Sequence, residues 1–245
     1  MALKPAACDV SRAVELPVDT VAVDYEGREH LPDRETLGTL SAEKDVWLTT
    51  PVRADGFDPL GDDSHVRSLP QGVRRVLVAG HRAYLTDEER RRAVAPRLRA
   101  AREEAPEAWV GTEGIERLAL AAGGTQYELL SGTTPRDLRA LRAAEFDGDV
   151  AVYAPTVLTD DEDEILDAVG SYAARRRPVA EALPDGAATD ARATGRAREV
   201  LRTAVREYAL VGDPDAVAER VAALREAGAT LVVGNPARGL EEFVE

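Results

Sequence analysis

Cysteine occurs once in this chain, at Cys8, lysine twice, at Lys4 and Lys44, and histidine three times, at His30, His65 and His81. One thiol makes neither an internal disulfide nor a thiolate metal cluster, and it fits a reducing compartment. Three histidines without a shared ligand spacing give no recognisable zinc pattern. Aromatic residues are 4% of the 245, so few rings are available to flank a planar ligand. No apolar run approaches the roughly 18 residues of a membrane span, and the first residues do not read basic-then-apolar. Neither a membrane span nor a secretory leader is expected. Basic residues number 31 against 45 acidic ones, a net charge of −14. Such a surface repels phosphate backbones, and no nucleic-acid partner is expected.

What the chain has in abundance is Asp, Glu, Ala and Arg. Dense carboxylates repel one another little in molar salt, where the Debye length falls to about 3 Å. That composition resembles proteins of salt-loving archaea, although a GC-rich genome writes the same arginine and alanine. The expectation is a cytoplasmic, halophilic protein.

The length suffices for a full core, and α/β barrels of this size are often one domain. Apolar and β-branched runs predict strands at Thr20 to Tyr25, Asp45 to Val52, Val73 to Ala79, Trp109-Val110, Tyr127 to Leu130, Val150 to Tyr153 and Leu231 to Val233. Helices fill the gaps. Thr86-Asp-Glu-Glu89 and Thr159-Asp-Asp-Glu162 read as capping boxes, and Thr134-Pro135 as a cap before an N1 proline. Pro96 should kink or divide its helix. Residues 1–17 form an N-terminal lead, 54–72 and 184–195 read as loops, and Arg175-Arg176-Arg177 as a solvated helix end. The clearest unit closes the chain. Asp213 caps a helix that starts with Pro214, carries Val217, Val221 and Leu224 on one face, and ends at Gly228 before the last strand. Strands alternating with helices argue a parallel sheet, either a barrel or an open doubly wound sheet. No Gly-rich dinucleotide fingerprint follows Tyr25-Glu26-Gly27, which favours the barrel.

Two stretches carry a resemblance. Tyr-Ala-Leu-Val-Gly-Asp-Pro-Asp-Ala-Val-Ala-Glu-Arg-Val (208–221), followed by Leu-Arg-Glu-Ala-Gly, resembles the C-terminal end of the luciferase-like monooxygenase superfamily. Trp109-Val110-Gly111-Thr112-Glu113-Gly114 with its following helix, and Val150 to Pro155, are similar to a strand–glycine loop–helix segment and a late barrel strand of that family. The resemblance covers residues 107–245. It implies a (β/α)8 TIM barrel, here shortened or with one strand lost, in one domain over 1–245. It also implies a deazaflavin (F-420-type) or FMN cofactor, a small-molecule substrate and a homodimer. The aspartate-glycine pair that many relatives carry is replaced here by Gly123-Gly124.

In such barrels the working residues stand at the C-terminal strand ends. The candidates are Asp24 and Tyr25, Thr49 and Thr50, Gly80 to Arg82, Gly111 to Gly114, Ser131 and Gly132, Pro155 and Thr156, and Gly234 and Asn235. Gly111, Thr112 and Gly114 open onto a helix and suit a phosphate, with Arg117 one turn on to offset Glu113. The same segment also reads as a plain turn. His81, Asp24 and Thr50 are the candidates to face a reacting ring. Three functions remain open: a luciferase-like oxidoreductase transferring hydride, a barrel that lost its cofactor and serves as a binding or subunit module, and a cofactor-free enzyme acting on a phosphorylated metabolite.

Overall fold

The computed structural model describes residues 1–52, 69–79, 93–112 and 116–244. Its strands are β1 (Ala2–Leu3), β2 (Thr20–Val23), β3 (Asp45–Pro51), β4 (Arg74–Ala79), β5 (Trp109–Thr112), β6 (Gln126–Leu129), β7 (Val150–Leu158), β8 (Leu210–Gly212) and β9 (Leu231–Pro236). Its helices are α1 (Arg34–Glu43), α2 (Val94–Glu104), α3 (Glu116–Ala122), α4 (Thr134–Ala143), α5 (Glu162–Ala174), α6 (Arg177–Ala182), α7 (Gly195–Tyr208) and α8 (Pro214–Ala227). No helix among the described residues is long and apolar enough to cross a membrane.

Strands β1 to β8 lie side by side in chain order, with β9 against β7. Pairing is parallel from β1 to β6 and between β7 and β8. An open doubly wound sheet would reverse its order at a switch point. The unbroken order is that of a (β/α)8-type barrel. Two strands are absent from the seven that the sequence predicts: β1, which lies inside the expected lead, and the three-residue β8 between α7 and α8. Two residues are too few to show a period, but Ala2 and Leu3 pair with Ala22 and Val23.

The chain folds as two compact units. The first comprises residues 1–128, 148–151 and 243–245. One face of its sheet packs on helices: Leu77 and Val110 meet Leu98 and Ala101 of α2 and Ala119 of α3. The other face is concave. Trp47 on β3 and Trp109 on β5 stack with centroids 4.1 Å apart although β4 lies between their strands. Flat strands two places apart stand about 9–10 Å from each other, so only a curled sheet brings these rings together. Tyr127 on β6 extends the stack at 5.9 Å.

The second unit comprises residues 129–147 and 152–242. Leu166 and Val169 of α5 pack on Leu201 and Val205 of α7, over Val157 and Val211. A Cβ at Gly170 would sit 2.3 Å from the Thr189 carbonyl oxygen, so α5 passes that loop at backbone distance. Asp213 accepts from the Ala216 N–H at 2.8 Å, and Gly228 ends α8 at φ 123°. Both ends of α8 stand where capping chemistry put them.

Other caps moved. Asp161, not Thr159, caps α5, accepting from the Asp163 and Glu164 N–H groups. Thr159 instead bridges to Gly212. Thr134 is the first residue of α4 and its hydroxyl accepts from the Ser131 N–H. Pro96 falls in the first turn of α2, where its missing N–H leaves no helical hydrogen bond unmade. The Thr86 capping box lies outside the described residues. Arg176 is not simply solvated: its guanidinium lies over the rings of Tyr172 and Tyr208, 4.5 and 5.6 Å from their centroids.

Candidate active site

Register decides which strand-end side chains share a site. Ala2 pairs with Ala22 and Ala22 with Trp47, so all three point to the concave face. Side chains alternate along a strand, so Lys4, Asp24 and Thr49, two residues further on, follow on that face. Two hydrogen bonds extend the ladder past the strand ends. The Asp24 N–H donates to the Leu3 carbonyl at 2.8 Å, and the Tyr25 N–H donates to Thr49 Oγ1 at 2.6 Å. Lys4, Asp24 and Thr49 therefore stand in a row at the C-terminal ends of β1, β2 and β3, all half-buried.

Burial pushes the Asp24 carboxyl up to about 7; the Lys4 ammonium opposes that rise and the Glu26 carboxylate adds to it. No side chain or backbone donor among the described residues hydrogen-bonds the Asp24 carboxyl. Its charged form thus lacks the contacts that usually hold an aspartate ionised. Glu26 is engaged, its Oε2 accepting from the Ala6 N–H at 2.9 Å. This contact holds the segment after β1 against the end of β2. A carboxyl with both forms populated near neutrality at a strand end suits proton exchange.

The other candidates are placed as follows. Thr50 is 2% exposed, lies on the helix-facing side with Leu48 and donates its hydroxyl to the Leu48 carbonyl. Its neighbour Thr49 has the concave position. Gly111 lies inside β5, paired with Val78 and Tyr127. A Cβ on Gly111 would stand 3.1 Å from Tyr127 Cδ1, so the ring of Tyr127 uses the space that a side chain would need. His81 and Gly114 lie outside the described residues, as do the side chains of Thr112 and Arg117. His30 is exposed on a short 3-10 helix, 4.0 Å from Glu29. In the second unit, Thr156 is buried with its hydroxyl on the Ala154 carbonyl, and Ser131 Oγ lies 3.2 Å from both Thr133 and Thr134 hydroxyls. No group of three or more His, Cys, Asp or Glu among the described residues is arranged to hold a metal ion.

The sequence pattern does not single out Lys4, because it places residues 1–17 in a lead outside the strands. The available signal was scarcity: with two lysines in the chain, each has a position to explain.

The chain belongs to a family of unknown function, DUF7388, which matches it over residues 1–243. No curated protein matches the sequence. Among solved structures the chain is similar to an F420-dependent secondary alcohol dehydrogenase in complex with an F420-acetone adduct. The identity is 12%, the alignment covers 98% of this chain and 93% of the dehydrogenase, and the TM-score is 0.58. That likeness is one of fold, and the fold is the (β/α)8 TIM barrel.

Proposed function

We propose that the chain is a luciferase-like oxidoreductase that binds an F420-type deazaflavin and exchanges hydride with a small organic substrate, a secondary alcohol or its ketone. The observation that carries this reading is Asp24: a carboxyl at a strand end, free of protein donors among the described residues and titrating near 7. The cofactor, when bound, supplies the hydride chemistry. Asp24 moves the proton. In its ionised form it takes the proton of a substrate hydroxyl; in its protonated form it returns one to a carbonyl oxygen. Thr49 positions it by fixing the backbone of Tyr25. Asp24 fits a reacting ring, and for the phosphate we assign Thr112, Gly114 and Arg117, with Gly111 filling a packing role beside Tyr127.

The test is to add F420 to the purified protein and follow melting temperature and cofactor fluorescence. A raised melting temperature with quenched fluorescence is expected, and Asp24→Asn should keep binding while losing turnover of secondary alcohols. No response at saturating F420 sinks the proposal. The close seat of Tyr127 on Gly111 favours a second reading, a barrel that lost its cofactor and serves as a binding or subunit module. A stable assembly with no response to F420 would select it.

A further inference from the structure

We propose that Lys4 is the anion-binding residue of the strand-end site and holds an oxyanion of the substrate, a carboxylate or a phosphate, beside Asp24. The inference rests on the reading of that strand end as the reacting site and names the substrate class it takes. Lys4 shares the concave face with Asp24 and Thr49 through the β1–β2–β3 register. Lys4 is half-buried as a residue, and its ammonium makes no hydrogen bond or ion pair with any described residue. The other lysine differs. Lys44 Nζ donates to the Leu16 and Val18 carbonyls at 3.0 and 2.8 Å. An ammonium on that face with no hydrogen bond to a described residue has its donors available to an oxyanion.

The neighbouring charges leave room for an anion. The charged groups at this end of the row are Asp24 and Glu26 after β2, with the Thr49 hydroxyl beyond Asp24 on β3, while the Cys8 thiol donates to the Lys4 carbonyl oxygen. Glu26 is turned to the Ala6 N–H. Asp24, raised to about 7, is largely protonated below neutrality and then offers Lys4 no counter-charge. An incoming oxyanion supplies it. Once Asp24 ionises, the anion meets a like charge, so affinity should fall as pH rises through 7.

The experiment titrates the full chain, with and without F420, using lactate, inorganic phosphate and the neutral propane-1,2-diol as probes. Binding is read from the 13C resonance of the Asp24 carboxyl, assigned with Asp24→Asn. At least one anion should bind and raise the Asp24 midpoint, and the diol should not. Lysine-to-methionine replacement, Lys4→Met, keeps the stem and removes the charge. It should weaken the anion about tenfold (~1.4 kcal/mol) and raise the Asp24 midpoint in the free protein, while Lys4→Arg keeps most of the affinity and controls for folding. Lactate alone identifies a carboxylate, phosphate alone a phosphate. Unchanged anion affinity in Lys4→Met, or no anion binding to wild type with or without F420, overturns the proposal. F420 binding is recorded on the same samples, so loss of the cofactor reading and loss of the anion site are separate results.

Discussion

Replacing Asp24 by asparagine should stabilise the protein at pH 8 and leave its stability unchanged at pH 4. The sign follows from proton binding. Unfolded, an aspartate releases its proton near 3.9. Folded, Asp24 keeps it up to about 7. Between those values the native state binds more protons than the unfolded chain, so stability declines as pH rises from 4 to 7 and then levels. A carboxyl held at about 7 instead of 3.8 destabilises the native state above neutrality by at most about 4 kcal/mol, at 1.36 kcal/mol per pH unit. Asp24 keeps part of its surface in water, and solvent screening reduces this to roughly 1–2 kcal/mol.

Asparagine retains the shape of the neutral acid and cannot ionise. The assay is urea unfolding of wild type and Asp24→Asn between pH 4 and 8 at one fixed salt concentration. Subtraction removes the contributions of Asp9, Asp33 and Asp190, whose hydrogen bonds hold them below the usual range and which both proteins share. The difference should grow from near zero at pH 4 to roughly 1–2 kcal/mol and level off above about 7. At this chain length, melting temperature should rise by a few degrees at pH 8. A difference independent of pH, or a destabilised Asp24→Asn at pH 8, refutes the placement of this carboxyl.

Three further substitutions test the frame around the site. Thr49→Val removes the acceptor of the Tyr25 N–H; it should cost about 1–2 kcal/mol by urea unfolding, more than Thr50→Val, whose hydroxyl merely donates to the Leu48 carbonyl. Gly111→Ala places a methyl 3.1 Å from the Tyr127 ring; it should destabilise by about 1–3 kcal/mol and alter near-UV circular dichroism of the stacked tryptophans. Gly170→Ala puts a methyl 2.3 Å from the Thr189 oxygen and should cost about 3 kcal/mol or more. Helix propensity alone predicts a gain of about 1 kcal/mol there, so the sign in a thermal melt discriminates.

Much of this architecture was legible in the sequence because its signals are local. Runs such as Val150 to Tyr153 mark strands, and Asp213, Pro214 and Gly228 mark both ends of α8. Signals that failed were answered by distant partners. Thr159 has the chemistry of a cap, but its backbone bridges to Gly212 and its hydroxyl accepts from the Asp161 N–H, which leaves Asp161 to cap α5. Gly111 looked like part of an anion loop, yet its missing side chain accommodates a ring 16 residues later in the chain. Thr49 and Thr50 are equivalent as letters at a strand end. Only register with β2 tells which one faces Asp24.

That dependence on register explains the placement of the scarce aromatics. A slip of one residue in β3 would turn Thr50 to the concave face and Thr49 to the helices, dissolving the row with Lys4 and Asp24. The stack of Trp47, Trp109 and Tyr127 opposes such a slip, because a shift would carry the Trp47 ring from buried contact with Trp109 to the opposite face. Aromatic pairs contribute roughly 0.5–1.5 kcal/mol each beyond their burial, which penalises any alternative pairing. Both tryptophans of the chain thus hold the register of β3 and β5, the first of which pairs with the strand that carries the acid. The two-residue β1 completes the arrangement: Leu3 supplies the acceptor for the Asp24 N–H and sets Lys4 in the same row.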